Sequence, residues 1–373
     1  MPATRDIACG FDALLKEGGH LLDGKRVGLV AHAASVDRTG CSTAQRLRER
    51  IGDGLAALFS PEHGFSGIAG AGEKVASARH PVWNIPIHSL YGKTRRPTAA
   101  MLRGLDVVIF DLQDLSIRCY TYVSTLRYLL EAAHGTKLHI IVTDRLNPLA
   151  GIFDGPMLEP KHESFVGNFP GPLVYGLTAG QAARVLVKKL KLKVNLTTFA
   201  ARGGYFTDHR WVSPSPAIRT PHSALCYPVT VGFEALPAID YGRKTLMPFE
   251  LIGSPELNAD DFCDQLAEHK LQGVQFHPIV YEREGVVYQG ARIAVHRPGI
   301  FEPVATAVTV LSVLQNILGA EKLWKTTGSR PAFFDQLYGT ANVRRALQSG
   351  VPLEKIIGSW SSQLERWMLD VGC

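Results

Sequence analysis

Nowhere in this 373-residue chain do about eighteen apolar residues run together, and the opening MPATRDIACGFDALLKEGG has no basic stretch leading into an apolar one. A membrane-spanning helix and a visible export signal are therefore not expected. The residues point to a soluble cytoplasmic protein, or to a periplasmic one if translation begins upstream. Cysteine is sparse: six residues, at 9, 41, 119, 226, 263 and 373, without CxxC or paired ligand spacing. Free thiols in a reducing compartment follow, with Cys373 as a possible exposed one. The 13 histidines have no paired ligand pattern, and HExxH, GxxxxGK[ST] and GxSxG are all missing. The glycine-rich GIAGAGEK at 67–74 contains GxGE, short of a complete GxGxxG. Neither a metal nor a nucleotide cofactor is expected.

Charge is nearly balanced, with 40 Lys and Arg against 34 Asp and Glu, a formal +6. The densest basic run, KKLKLK at 188–193, ends a helix-like segment, where cations suit the helix dipole. Basic residues are not interleaved with aromatics, so nucleic acid is not an expected partner.

What is present is enough apolar material, 46% of the chain, for a substantial core at about twice the usual domain length. The first half alternates short apolar runs with amphipathic ones. KRVGLVAHA (25–33), GLAALF (54–59), LDVVIFD (105–111), KLHIIVTD (137–144) and KVNLTTF (193–199) read as strands. CSTAQRLRER (41–50), TYVSTLRYLLEAA (121–133) and LTAGQAARVLVKKL (177–190) read as helices, the last capped by Thr178. This pattern predicts an α/β fold with a Rossmann-like, mostly parallel sheet and helices on both faces, over residues 1–200. Residues 201–373 are expected to form a smaller α+β domain that closes part of the cleft. It would contain helices near 258–269, 304–318 and 355–369, strand-like runs at 273–282 and 286–298, and Asn258 as a cap. The Pro- and Ser-rich segment 205–223 reads as an ordered loop or crossover.

Apolar runs end in polar clusters at SPEHGF (60–65), DLQD (111–114) and TDRLNP (143–148). In a parallel sheet such ends share one edge, so these loops are expected to surround one site. Glu62 is the leading acid/base carboxyl, with one face against Phe59 or Phe65 and His63 to donate to a substrate or orient it; a turn-fixing loop carboxylate is the alternative. Asp111, Gln113 and Asp114 suit paired sugar hydroxyls, or they anchor the following helix. Arg118 suits a carboxylate and Tyr120 and Tyr122 offer ring faces, whereas Arg118 paired with Asp114 would be structural. Asp144, Arg145 and Asn147 form either a fixed binding loop or an internal network. A second carboxylate for glycosidic cleavage would come from Asp154 or Glu159.

With SLYG (89–92), RCYTY (118–122) and SFVGNFP (164–170), these motifs resemble the DUF1343 family, which includes the exo-β-N-acetylmuramidase NamZ, along nearly the whole chain. The resemblance implies a NamZ-like glycoside hydrolase that removes N-acetylmuramic acid from the non-reducing end of peptidoglycan fragments during cell-wall recycling, without a cofactor. It places the favoured catalytic glutamate of the PEHG motif on Glu62 and the motif's histidine on His63, both taken as catalytic, with Asp154 the wager for a partner carboxylate. It places substrate contacts at Asp111, Gln113, Asp114, Arg118, Tyr120, Tyr122, Asp144, Arg145 and Asn147, and at Tyr175, which stands where the family has histidine. The implied partner is an amino sugar or muropeptide fragment. Other departures are His32 for Asn, Ser116 for Gly, Asp154 for Glu, Gln181 for Glu and Lys244 for Gly. The alternatives are a noncatalytic carbohydrate-binding or scaffold derivative, and a hydrolase of another N-acetylated or acidic glycoside.

Overall fold

The structure is a computed structural model that describes residues 9–202 and 211–372. Cys373 and part of the expected 205–223 loop lie outside the described residues. The chain separates into two compact units, one comprising Met1–Ser116, Tyr120–Ala150 and Leu177–Arg219, the other Ile117–Cys119, Gly151–Gly176 and Thr220–Cys373.

The first unit is built on β1 (Val27–Val30), β2 (Leu55–Ser60), β3 (Ala78–Arg79), β4 (Pro86–Ser89), β5 (Val107–Phe110) and β6 (His139–Thr143). After the excursion through β7 (Phe153–Met157) and β8 (Pro172–Tyr175), the chain returns with β9 (Asn195–Phe199). The sheet order is β3-β4-β2-β1-β5-β6-β9, parallel at every pairing except β3 with β4. Strands β1 and β5 are buried at all four positions, which is why they read as unbroken apolar runs rather than alternating ones. Helices α1 (Gly10–Glu17), α2 (Thr43–Ile51), α3 (Ala99–Leu102), α4 (Tyr122–Ala133) and α5 (Ala179–Lys189) join this unit. Phe11, Leu14, Leu29, Leu47, Leu58, Ile109 and Ile141 share one core. Helix α1 begins at Gly10 because its N–H donates to Asp144 O at 2.7 Å. A Cβ there would lie 2.1 Å from Phe199 O, so only glycine fits.

From β1 the chain builds outward through β2 and β4, then crosses back to lay β5, β6 and β9 on the other side. The reversal makes a switch point at the C-terminal ends of β1 and β5, where open α/β sheets bind ligands.

The second unit contains the antiparallel pair β7–β8 and a three-stranded antiparallel sheet. That sheet consists of β10 (Leu251–Ser254), β11 (Val274–Arg283) and β12 (Val286–Val295), in the order β10-β12-β11. Its helices are α6 (Pro221–Thr230), α7 (Ala259–Glu268), α8 (Pro303–Leu318), α9 (Ala320–Lys325), α10 (Pro331–Tyr338), α11 (Asn342–Gln348) and α12 (Leu353–Val371). Helix α8 is apolar nearly all round and correspondingly buried. Among the described residues no helix is long and apolar enough to cross a membrane.

The division therefore falls at 219/220 rather than at 200, and 151–176 joins the second unit instead of the first. Asp154 and Gly155 are the reason. Asp154 Oδ2 accepts the N–H groups of Val304 at 2.7 Å and Ala305 at 3.0 Å, satisfying the orphan donors that open α8. Gly155 has φ +87, and a Cβ there would meet Val304 Cγ1 at 2.8 Å. Pro and Gly in FDGPM hide this hairpin from a search for alternating residues.

Burial raises the Asp154 carboxyl from 3.8 to about 6, even though these N–H donors pull the other way. Between those values the folded protein holds a proton that the unfolded chain has released, so stability falls as pH rises through the window. Asp154→Asn keeps an oxygen acceptor and has no proton to lose. We expect the wild type to lose roughly 2–3 kcal/mol relative to D154N from the bottom to the top of that window, read from denaturation midpoints across pH.

Candidate active site

The chain turns immediately after β2. Gly64 N–H donates to Pro61 O at 3.1 Å, and both His63 (φ 71) and Gly64 (φ 79) adopt left-handed backbone. A histidine in that region carries strain that its surroundings must offset. Here Ala69 N–H donates to His63 O at 3.1 Å, and the ring Nδ1 lies 2.8 Å from Ala69 O. Because a carbonyl only accepts, Nδ1 bears the proton, and in the neutral ring Nε2 keeps its lone pair.

Glu62 is buried in the same loop, 7% exposed. Its Oε1 accepts from Gly72 N–H at 2.8 Å and its Oε2 from the Thr121 hydroxyl at 2.7 Å. The Tyr91 hydroxyl is hydrogen-bonded both to Glu62 and to Arg95, whose guanidinium carbon lies 5.1 Å from the Tyr91 ring centre. Both Glu62 oxygens thus meet polar donors.

A second polar layer lies at the switch point. His32, just past β1, accepts Gln113 N–H on Nε2 at 3.0 Å and lies 3.3 Å from the Tyr122 hydroxyl through Nδ1. Tyr122 donates in turn to Pro214 O at 2.7 Å. Burial, with Arg145 adding to it, pushes His32 down to about 3, so the ring is neutral. Tyr120 packs edge-on to Tyr122, with ring centres 4.7 Å apart. Burial raises both phenols, and the charges of Glu62 and Asp114 add to it, which puts the two carboxyls in the same neighbourhood.

Several residues expected to meet a substrate are instead bonded within the protein. Arg145 grips Asp111 through Nε at 2.9 Å and Nη2 at 2.7 Å, and its Nη1 donates to Val36 O at 2.9 Å. Asp144 accepts from Gly180 N–H at 2.6 Å and Thr178 Oγ1 at 2.9 Å, anchoring the start of α5. Gln113 Nε2 donates to Leu146 O at 2.8 Å, and Asn147 Oδ1 accepts Leu149 N–H at 3.1 Å in a local turn. Asp114 Oδ2 accepts Ser116 N–H at 3.3 Å.

The remaining three belong to the second unit. Arg118 is fully buried and donates to Gly171 O and Tyr338 O, each at 2.6 Å, so it saturates carbonyls rather than clamping an acidic ligand. Tyr175 is buried on β8 with its ring centre 4.4 Å from that of Phe169. Asp154 caps α8, as described. Its expected place as partner of Glu62 is therefore corrected to a structural one, because its carboxylate closes a helix end.

Sequence reasoning passed over Arg95, and it met His32 only as a departure from the family pattern and Tyr91 and Thr121 only within the SLYG and RCYTY motifs. Each follows a strand end or precedes a helix, a position that would have drawn attention to it. Among the described residues no group of three His, Cys, Asp or Glu side chains is arranged to hold a metal.

Two family models match, described as exo-beta-N-acetylmuramidase NamZ, N-terminal, over residues 27–222, and NamZ, C-terminal, over 225–371. The chain belongs to the NamZ family. It is 35% identical to the peptidoglycan beta-N-acetylmuramidase NamZ of Bacillus subtilis (strain 168), covering 97% of this chain and 89% of that one. A DUF1343 family protein of Bacteroides fragilis superposes with TM-score 0.89 at 28% identity over 98% of both chains. A second from the same organism, with TM-score 0.74 and 22% identity over 98% of both chains, shares the fold.

Some departures from the NamZ family pattern have local explanations. Gln181 stands at the third helical position of α5, where its Oε1 accepts Thr178 N–H at 2.9 Å while Thr178 Oγ1 accepts Gln181 N–H at 3.3 Å, a reciprocal capping box in which Glu and Gln serve alike. Ser116 retains the left-handed backbone (φ 55) that suits the family's glycine, and its hydroxyl donates to Leu177 O at 2.6 Å.

The buried Asp111–Arg145 pair makes a direct stability prediction. Arg145→Met leaves the carboxylate buried without its cation and should cost about 3–5 kcal/mol, measured as a lowered urea midpoint.

Proposed function

We propose that this protein is a glycosidase that releases N-acetylmuramic acid from the non-reducing end of peptidoglycan fragments, with Glu62 as the acid/base carboxyl and His63 beside it. The observation that carries the reading is Glu62 itself, buried at the end of β2 and held on both oxygens by Gly72 and Thr121. Orientation of that kind is what a group moving a proton to or from a reacting atom needs. The substrate class rests on the 35% identity to a protein named as a peptidoglycan beta-N-acetylmuramidase.

Hydrolysis joins the oxygen of water to the anomeric carbon, breaks the glycosidic C–O bond and delivers one proton to the leaving oxygen. No electrons are transferred, so carboxyl chemistry suffices. With Asp154 closing a helix, the carboxyl chemistry of the reading rests on Glu62. The hydroxyls of Thr121 and Tyr91 supply further polar contacts around Glu62.

The test is incubation with the disaccharide N-acetylmuramyl-β-1,4-N-acetylglucosamine, followed by mass analysis of the products. Release of both monosaccharides is expected. In Glu62→Gln the amide oxygen still accepts from Gly72, and the Thr121 hydroxyl rotates to accept from the new NH2. Turnover should fall about 10²–10⁴-fold with the melting temperature unchanged. Full activity in E62Q would remove Glu62 from the chemistry; binding without cleavage by the wild type would leave a noncatalytic carbohydrate binder.

A further inference from the structure

We infer that the second unit carries a binding site of its own, a basic cleft that takes a small molecule bearing two or more carboxylate or phosphate groups. The cleft has a volume of about 580 Å³, in the range of small-molecule sites. It forms where the C-terminal end of α7, the start of β11 and the segment after β12 meet, all within that one unit. Four basic residues line it, Lys270, His277, His296 and Arg297, and no Asp or Glu does. The acidic residues of α7, Asp260, Asp261, Asp264 and Glu268, are not part of its wall. The four basic residues are exposed. Among the described residues their side chains make no hydrogen bond, ion pair or ring contact.

The backbone builds this convergence. Lys270 leaves α7 in left-handed geometry (φ 49), its N–H donating to Ala267 O at 3.1 Å, and Gly273 has φ 72. Gly273 O then accepts two N–H groups, from His296 at 3.0 Å and Arg297 at 3.2 Å. A Cβ on Gly273 would lie 2.4 Å from Arg297 O, so glycine lets the turn after α7 sit against the segment after β12. Val274 pairs with Val295, which places both segments at the open end of the β11–β12 hairpin. Like charges gathered without counter-charges repel one another, and a bound anion relieves that repulsion. Arg297 suits a bidentate grip on a carboxylate or phosphate, and Lys270 supplies a compact point charge for a second one. Leu266 and Phe276 add apolar wall for the ligand's carbon frame.

The experiment titrates the full-length protein by calorimetry with citrate and, separately, with pyrophosphate. At least one of them should bind once per chain, more weakly as salt is added. Tighter citrate points to a carboxylate-bearing ligand and tighter pyrophosphate to a phosphate-bearing one. In the double variant Lys270→Gln, Arg297→Gln the affinity should fall about tenfold or more. Neither side chain has a partner to lose, so the melting temperature without ligand should match that of the wild type. If neither anion binds, or if both bind K270Q/R297Q as tightly as the wild type, the cleft is not an anion site. No step of this test measures cleavage, so its result is independent of the glycosidase reading.

Discussion

The pairing of Asp111 with Arg145 ties together the ends of β5 and β6, and the site geometry of the first unit depends on it. Strand register brings the two residues together. Phe110 lies opposite Val142, so the next residues, Asp111 and Thr143, meet through a 2.9 Å hydrogen bond, and Arg145 is in reach two residues on. Both charges are buried, a state that persists only when paired and fully hydrogen-bonded. By reaching Val36 O as well, Arg145 fixes the loop after β1. Its charge also helps keep His32 neutral, so that Nε2 can accept from the Gln113 backbone.

In this polar floor many acidic and basic side chains at the strand ends are bonded within the protein. Asp144 anchors α5, Asn147 fixes its own turn, and Gln113 ties the loop after β5 to the one after β6. The outer layer consists of shorter-range arrangements around the β2 loop. Glu62 is held by donors, His63 is locked by one carbonyl, and Tyr91 links Glu62 to Arg95. Donors on both oxygens fix the Glu62 carboxylate in one orientation, the preorganisation that the acid/base role proposed for it needs.

Much of the architecture was legible in the sequence. The buried parallel strands appear as apolar runs because both faces of the sheet are covered, and Thr178 and Asn258 announce their helices through cap chemistry. The hairpin β7–β8 was not legible. Its residues take their fold from contact with α8, about 150 positions later in the chain.

The polar motifs at the strand ends were visible as a set, and Glu62 stood out among them. Their division of labour was not visible, because Asp111 and Arg118 have the same chemistry whether they meet a sugar or a neighbouring strand. By itself the sequence determined the alternation of strands and helices and the kinds of polar group at the sheet's edge, since both follow from local periodicity and residue type. Only the tertiary structure decided which charges neutralise one another and which stay near Glu62, because that depends on register and burial across residues far apart in the chain.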